Sequence, residues 1–440
     1  MYLKLALRNT KRSMLDYLLY MASMVMLTSI IFLSNCIADT GDMQAGFQTM
    51  ALPLLIVLIM AVFANYINHF VIRQRAKEFA TYMLLGMEKD KLTLVFLCEL
   101  FLTGLLCFVV GVASGTGIFS ICCHTLLPDT TGRSMSRIIL KSILQTFGYF
   151  CCVEILTTFF MKRKIYNLQI VQLMREKQHN QPLGTGRKSF WGWMLMISFF
   201  GYLALLSGIS FLSGRIMSVS ISFISLPVLM CVFSFYRWLY AFIASLRLSQ
   251  ADTLYQGNRL YQMAEMTGGS KTGANVNTIF CICFIFSAAA FVFGTLLLNP
   301  AVSIFEQKEQ QWMGFLQISI CIIFMIIYFS ILSLSQIIDL KREDRNIRLL
   351  FHMGKSCSDL KKLICMQVLL KLFMPVLMSF MMLWTAAPFV NHKLNSILPI
   401  HDHLLKAMGS FMVCFFVLYL CYFGMVYVIS TRYIKFITKQ

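Results

Sequence analysis

Hydrophobic residues along this chain come in runs of about twenty, separated by short polar segments in which Lys and Arg outnumber Asp and Glu. The runs show neither the two-residue alternation of a half-buried strand nor a narrow apolar stripe; they are apolar on every face, as helices in lipid are. Ten of them, roughly 17–36, 51–70, 92–120, 138–161, 190–211, 217–236, 277–298, 312–336, 364–387 and 407–430, are long enough to cross a hydrocarbon layer of about 30 Å. The pattern predicts an all-α polytopic membrane protein with about ten transmembrane helices. The fifth and sixth are separated only by a short polar segment around Ser213–Arg215.

Charge orients these spans. With the N-terminus inside, 30 of the 38 basic residues fall in segments on the inner side, in 1–16, 71–91, 162–188, 237–276, 337–363 and the C-terminal tail. Seven fall on the outer side, and Lys371 lies within the ninth span. That bias fits cytoplasmic N- and C-termini and an even number of spans. It also accounts for the net charge of +19 without nucleic acid, since no basic cluster carries aromatic platforms or zinc-ligand spacing. Composition agrees: with 58% hydrophobic and 13% charged residues and a mean hydropathy of +0.72, a set of soluble domains is excluded. Lys4, Arg8, Lys11 and Arg12 precede an apolar run with no small-x-small cleavage site, so the first run is expected to be a retained helix. Most of the 15 cysteines lie inside apolar runs, where cysteine behaves as a small hydrophobe. Cys36, Cys122 and Cys123 approach the outer side, but proximity to one side does not specify a disulfide.

Two inner segments resemble each other. VIRQRAKEFATYMLLGMEKDKL from Val71 and IDLKREDRNIRLLFHMGKSCSDL from Ile338 align at an offset of 268, placing Gly86 on Gly354, Arg73 on Lys341, Lys77 on Arg345, Leu85 on Met353 and Glu99 on Gln367. Each copy is a span, a basic amphipathic stretch, a glycine and a span. Phe79, Tyr82, Met83 and Gly86 follow helical spacing, and Gly86 is expected to end its helix in a left-handed conformation. Such a pair suits a handle gripped by a symmetric cytoplasmic partner; surface helices with snorkelling lysines are the plainer reading.

The chain resembles the FtsX-like permeases of ABC transporters, and among them the bacitracin-export, antimicrobial-peptide-resistance type of Gram-positive bacteria. The resemblance rests on Leu3–Met21, with Arg8, Asn9, Lys11, Arg12, Asp16 and Tyr17, and on Arg75, Lys77, Glu78, Phe79, Tyr82, Leu85, Gly86 and Met87, with Glu99 beyond. Weaker echoes are Tyr255, Gly257, Asn258, Met353 and Gly354. It implies a 4+2+4 arrangement: a cytoplasmic amphipathic segment 1–16, a first four-helix unit 17–161, linkers with helices five and six over 162–276, and a second four-helix unit 277–440. It further implies a bacterial plasma-membrane location and a separate cytoplasmic ATPase, in two copies, that binds ATP and Mg. Arg73, Arg75, Lys77, Glu78, Phe79, Tyr82, Gly86, Met87, Arg345, Met353 and Gly354 would then couple ATPase motion to the spans. Members of the bacitracin type carry a large extracellular domain between helices seven and eight, where this chain has only Asn299–Gln311. The implied ligand is an antimicrobial peptide or a lipid pyrophosphate intermediate, and a membrane sensor histidine kinase is a further implied partner. The competing reading is a module that does not transport but couples a cytoplasmic ATPase to a sensor kinase or a cell-wall enzyme.

No catalytic constellation, cofactor site or metal site is expected in the chain itself. Gly268–Gly269–Ser270–Lys271–Thr272–Gly273 lacks the first glycine of a phosphate loop and follows no strand, so it reads as a hydrophilic turn. His401, Asp402 and His403, with His392, offer ligand-type side chains but no evident third ligand, and read as a solvated loop. More informative are Glu99, Glu154, Gln367 and Lys371, because polar groups inside a span cost several kcal/mol unless paired or wet. Glu99 and Glu154 are expected some 10–12 Å from the inner boundary, with Lys371 at similar depth and available for a pair with either. Gly111 and Gly115 form a G-x-x-x-G face for close helix packing.

Overall fold

In a bilayer every backbone N–H and C=O must be satisfied within the segment, so apolar runs of this length fold as helices. The computed structural model describes residues 21–36 with gaps at 23, 30 and 34, and then 76–126, 135–166, 188–211, 224–249, 270–300, 307–397 and 403–437. In chain order the described helices are α1 (Met24–Leu33), α2 (Ala76–Leu84), α3 (Lys89–Leu126), α4 (Met135–Tyr166) and α5 (Lys188–Phe211). They continue with α6 (Ser225–Ser249), α7 (Ser270–Leu297), α8 (Gln307–His352), α9 (Cys357–Ile397) and α10 (His403–Ile437). Among the described residues, eight helices are long and apolar enough to cross a membrane. The expected spans 17–36 and 51–70 lie partly and wholly outside the described residues.

Several boundaries differ from the pattern reading, and each difference has a physical cause. The sixth span ends at Arg247 and not near 236, because Arg237 is carried inside the helix, where Asn275 and two aromatic rings receive its guanidinium. Pro227 falls in the first turn of α6, where no intrahelical N–H is needed. The basic stretch after the eighth span is not a separate segment: α8 runs unbroken for 46 residues into it. The ninth span continues as helix from Cys357 to Ile397 through Pro375 and Pro388. Around Pro375, tyrosine hydroxyls satisfy neighbouring carbonyls, Tyr236 donating to Met374 O at 3.1 Å and Tyr419 to Leu372 O. The expected turn at 268–273 is helical from Ser270 onward, and Gly273 lets Tyr240 press on α7, since a Cβ there would lie 2.8 Å from the Tyr240 Oη.

The chain divides into two compact units: residues 1–179 with 303–338, and residues 180–302 with 339–440. In the first, α3 packs on α1, α2 and α4. Gly111 and Gly115 are the close-approach points: a Cβ on Gly111 would meet Thr28 Cβ at 2.7 Å, and one on Gly115 would meet Ser29 O at 2.9 Å. Asn35 of the same first span donates to Thr146 of α4 at 3.0 Å. Cys36 is a buried thiol beside Phe32 and Phe119. In the second unit α5, α6, α7 and α9 share a core of Tyr202, Leu206, Cys231, Val232, Tyr236, Ala274, Cys281, Met378 and Met382. Tyr202 adds a bond from its hydroxyl to Met382 O at 3.0 Å.

Candidate functional site

The repeated segments fold into matching elbows, one in each unit. In the first, Gly86 takes a φ of +90°, its N–H donates to Met83 O at 3.1 Å and the Met87 N–H donates to Tyr82 O at 3.0 Å. In the second, Gly354 takes a φ of +91°, with Gly354 N–H to Phe351 O at 3.0 Å and Lys355 N–H to Leu350 O at 3.2 Å. Both are Schellman caps, in which a left-handed glycine closes the last helical carbonyls. A Cβ on either glycine would meet nothing within 4 Å, so the glycine serves the backbone angle and not the fit of a neighbour.

The helices that leave the two turns start alike and are reinforced differently. Leu92 N–H bonds to Glu88 O and Leu360 N–H to Ser356 O, each at 3.1 Å. Ser356 and Asp359 form a reciprocal cap, the Asp359 N–H donating to Ser356 Oγ at 3.2 Å and the hydroxyl donating to the carboxylate at 2.8 Å. The first copy places a Lys91–Glu88 ion pair of 3.2 Å there.

Burial follows the same offset. Phe79, Leu92, Val95, Phe96, Glu99 and Leu100 are buried, as are Ile347, Leu360, Leu363, Ile364, Gln367 and Val368. Phe79 rests edge-on against Phe96 at 5.5 Å, so it fastens α2 to α3 and does not face outward. Tyr82 is half-buried and Glu78 exposed. Among the residues that the elbows expose are apolar ones, Leu84 and Leu85 in the first and Leu349 and Met353 in the second. Leu84 and Leu349 were missed by the pattern reading, although an apolar residue in the last turn before a glycine, within a basic segment, was available as a signal. Arg73 and Arg75 lie outside the described residues, as do the side chains of Lys77 and Arg345.

Beyond the elbows, Glu99 is ten residues into α3 and Gln367 ten residues into α9, about 15 Å along each axis. Lys371 therefore matches Thr103, one turn farther on, and not Glu99. Glu154 lies twelve residues before the end of α4, whose last turns carry Lys162, Arg163 and Lys164. Its carboxylate packs against Gly104 of α3, where a Cβ would come within 2.5 Å of Oε1. Next to it, Thr28, Cys107, Thr146 and Tyr149 line a cavity of about 20 Å³, room for one water. Glu99 and Glu154 belong to the first unit and Lys371 to the second. Gln367 is 5% exposed, and neither its Oε1 nor its Nε2 has a hydrogen-bond partner among the described residues.

Among the described residues no group of three His, Cys, Asp or Glu side chains could hold a metal ion. His392 sits beside Ser210 Oγ, with Nδ1 at 3.4 Å, and against Phe211. His401 and Asp402 lie outside the described residues.

Residues 50–170, which contain the first elbow, α3 and α4, match the FtsX-like permease C-terminal family. The chain thus carries an FtsX-like permease stretch in its first half. It is similar to the bacitracin export permease protein BceB of Bacillus subtilis (strain 168), with 23% identity over 258 residues. That stretch covers 55% of this chain and 40% of the relative. The family match and the apolar spans together describe a multi-pass protein of the bacterial plasma membrane.

Proposed function

We propose that this chain is the membrane subunit of an ATP-driven ABC complex, with its two elbows as the contacts for a pair of cytoplasmic ATPase subunits. The carrying observation is the duplicated glycine-capped turn, each copy presenting apolar side chains at its tip and leading directly into a span. Leu84 and Leu85 in one copy, and Leu349 and Met353 in the other, offer burial that a soluble partner can supply. Gly86 and Gly354 set the angle; Arg73, Arg75, Lys77, Glu78, Tyr82, Met87 and Arg345 frame the contact, and Phe79 braces it. ATP and Mg belong to the partner. Closure of the two ATPases would press on the elbows, and α3, α8 and α9, as continuous helices, would carry the displacement across the bilayer.

The similarity to a bacitracin export permease supports a role in relieving attack by antimicrobial peptides on the cell envelope, with the peptide or a lipid pyrophosphate as ligand. The brevity of Asn299–Gln311 favours keeping a second reading, in which ATP hydrolysis drives a signal to a sensor histidine kinase or a cell-wall enzyme through membrane-helix contacts.

Purification together with a candidate cytoplasmic ABC ATPase tests the assignment. Leu85→Glu and Met353→Glu should each lower retention of the ATPase about tenfold while leaving the chain in the membrane. Full retention in the double variant would remove the elbows from the mechanism. ATPase activity that rises with cell-wall-active peptides or lipid pyrophosphates favours the first reading, and activity indifferent to all of them favours the second.

A further inference from the structure

Arg237, midway along α6, stands beside the first turns of α5 and α7, and its partners among the described residues do not neutralise it. Its Nη2 donates to Asn275 Oδ1 at 3.1 Å, and the guanidinium lies 5.2 Å from the centre of the Phe233 ring and 5.9 Å from that of Trp191. Nε is buried without a hydrogen-bond partner, and no carboxylate pairs with this arginine among the described residues. Trp191 and Phe233 are themselves packed edge to face at 5.6 Å, forming a fixed aromatic wall. One turn toward the start of α5, Lys188 extends along the same α5–α6 seam, over the Phe242 ring at 4.5 Å and with Nζ 3.3 Å from Ser245 Oγ. Its partners among the described residues are neutral too. Trp238 and Phe242 stack at 5.3 Å beside Gly192, and Phe190 and Trp193 are exposed.

Lys188 at the start of α5, and Arg237 level with Trp191 one turn farther along the seam, have no carboxylate partner among the described residues and stand among tryptophans, which describes a headgroup-level site. Aromatic belts mark the membrane–water boundary, and a guanidinium there seeks a phosphate oxygen, which it binds by charge-assisted hydrogen bonds. The positive-inside bias assigns this end to the cytoplasm, where anionic lipids attract basic side chains. We propose that the α5–α6 seam binds an anionic phospholipid of the inner leaflet, its headgroup phosphate held by Arg237 and flanked by Lys188. Asn275 and the Trp191–Phe233 wall preorganise the guanidinium, and the lipid chains lie along the exposed apolar face of α5, with Ile197 and Phe200. This site stands independently of the elbows and of any ATPase.

The test is tryptophan quenching by brominated lipids in the full-length chain, reconstituted after Trp193→Phe, Trp312→Phe and Trp384→Phe so that Trp191 and Trp238 report. Brominated phosphatidylglycerol should quench more strongly than brominated phosphatidylcholine at equal mole fraction. Arg237→Gln should lower the relative association constant of the anionic lipid about fivefold, Lys188→Gln should lower it less, and Arg237→Lys should keep most of the preference. Equal quenching by the two lipids in the parent overturns the proposal, as does an undiminished preference in the Arg237→Gln, Lys188→Gln double variant. Inorganic phosphate added to phosphatidylcholine bilayers separates the sources: saturable binding of free phosphate without a lipid preference overturns the lipid assignment.

Discussion

At the scale of single residues, the polar groups inside the spans carry the most information. Glu99 and Gln367 occupy the same step of the repeat and are both buried, 1% and 5% exposed, yet one is ionisable and the other is not. Gln367 leaves both polar atoms without partners among the described residues, which costs stability for as long as they stay so. Replacing it with leucine removes the unmet groups at similar volume. Gln367→Leu should therefore raise the thermal midpoint of the solubilised chain, corresponding to about 1 kcal/mol. If the amide finds a partner in another state of the transport cycle, the same variant loses coupled ATPase activity while gaining stability. A lowered midpoint would show that the amide is already satisfied. Glu99→Gln, which makes the two copies alike, should impair substrate-dependent ATPase activity without preventing insertion, and unchanged rates would end any special role for that carboxylate. The residue types were legible from sequence; the helix ends were not, because charged residues at the ends of α3 and α4 extend those helices past the apolar runs.

The elements are governed by two glycines. Gly86 and Gly354 both adopt φ near +90°, with open space where a Cβ would go, so the cost of a side chain is a backbone cost alone. Gly86→Ala and Gly354→Ala should each destabilise the local turn by about 1–2 kcal/mol, the penalty of a left-handed angle for an L-residue. The first turn closes α2 and the second closes the 46-residue α8, and the two helices that follow are reinforced differently, so the two need not respond alike. Hydrogen exchange at Leu85–Met87 and Met353–Lys355 reads each turn directly. Accelerated exchange confined to the substituted elbow is the expected result; unchanged exchange would mean that the cap contributes little to the turn. Periodicity alone located the glycine at the end of the amphipathic stretch. It did not show that the second stretch is the continuation of a span, since a helix leaving the bilayer changes composition without changing its hydrogen bonding.

For the whole molecule, the repeat and the charge bias make one joint statement, that both elbows lie on the same side of the membrane. Cysteines introduced as Leu85→Cys and Met353→Cys into a cysteine-free background should react with a membrane-impermeant maleimide only when the cytoplasmic face is open. Labelling of the two sites from opposite faces would break the parity of the spans between them and with it the proposed grip by two ATPases.

By itself the amino-acid order determined the helical membrane class, the duplicated elbow and the glycine at its apex, because these follow from the length of apolar runs and from backbone angles. The G-x-x-x-G face was equally local, and Thr28 and Ser29 occupy the space its missing Cβ atoms leave. Only the tertiary structure decided which side chains meet. It turned Phe79 inward against Phe96, laid Glu154 on Gly104, and carried Arg237 into α6, where Asn275 and two aromatic rings receive it. Contacts of that kind join residues tens to hundreds of positions apart, and no periodicity within one run specifies the face that a distant run presents to it.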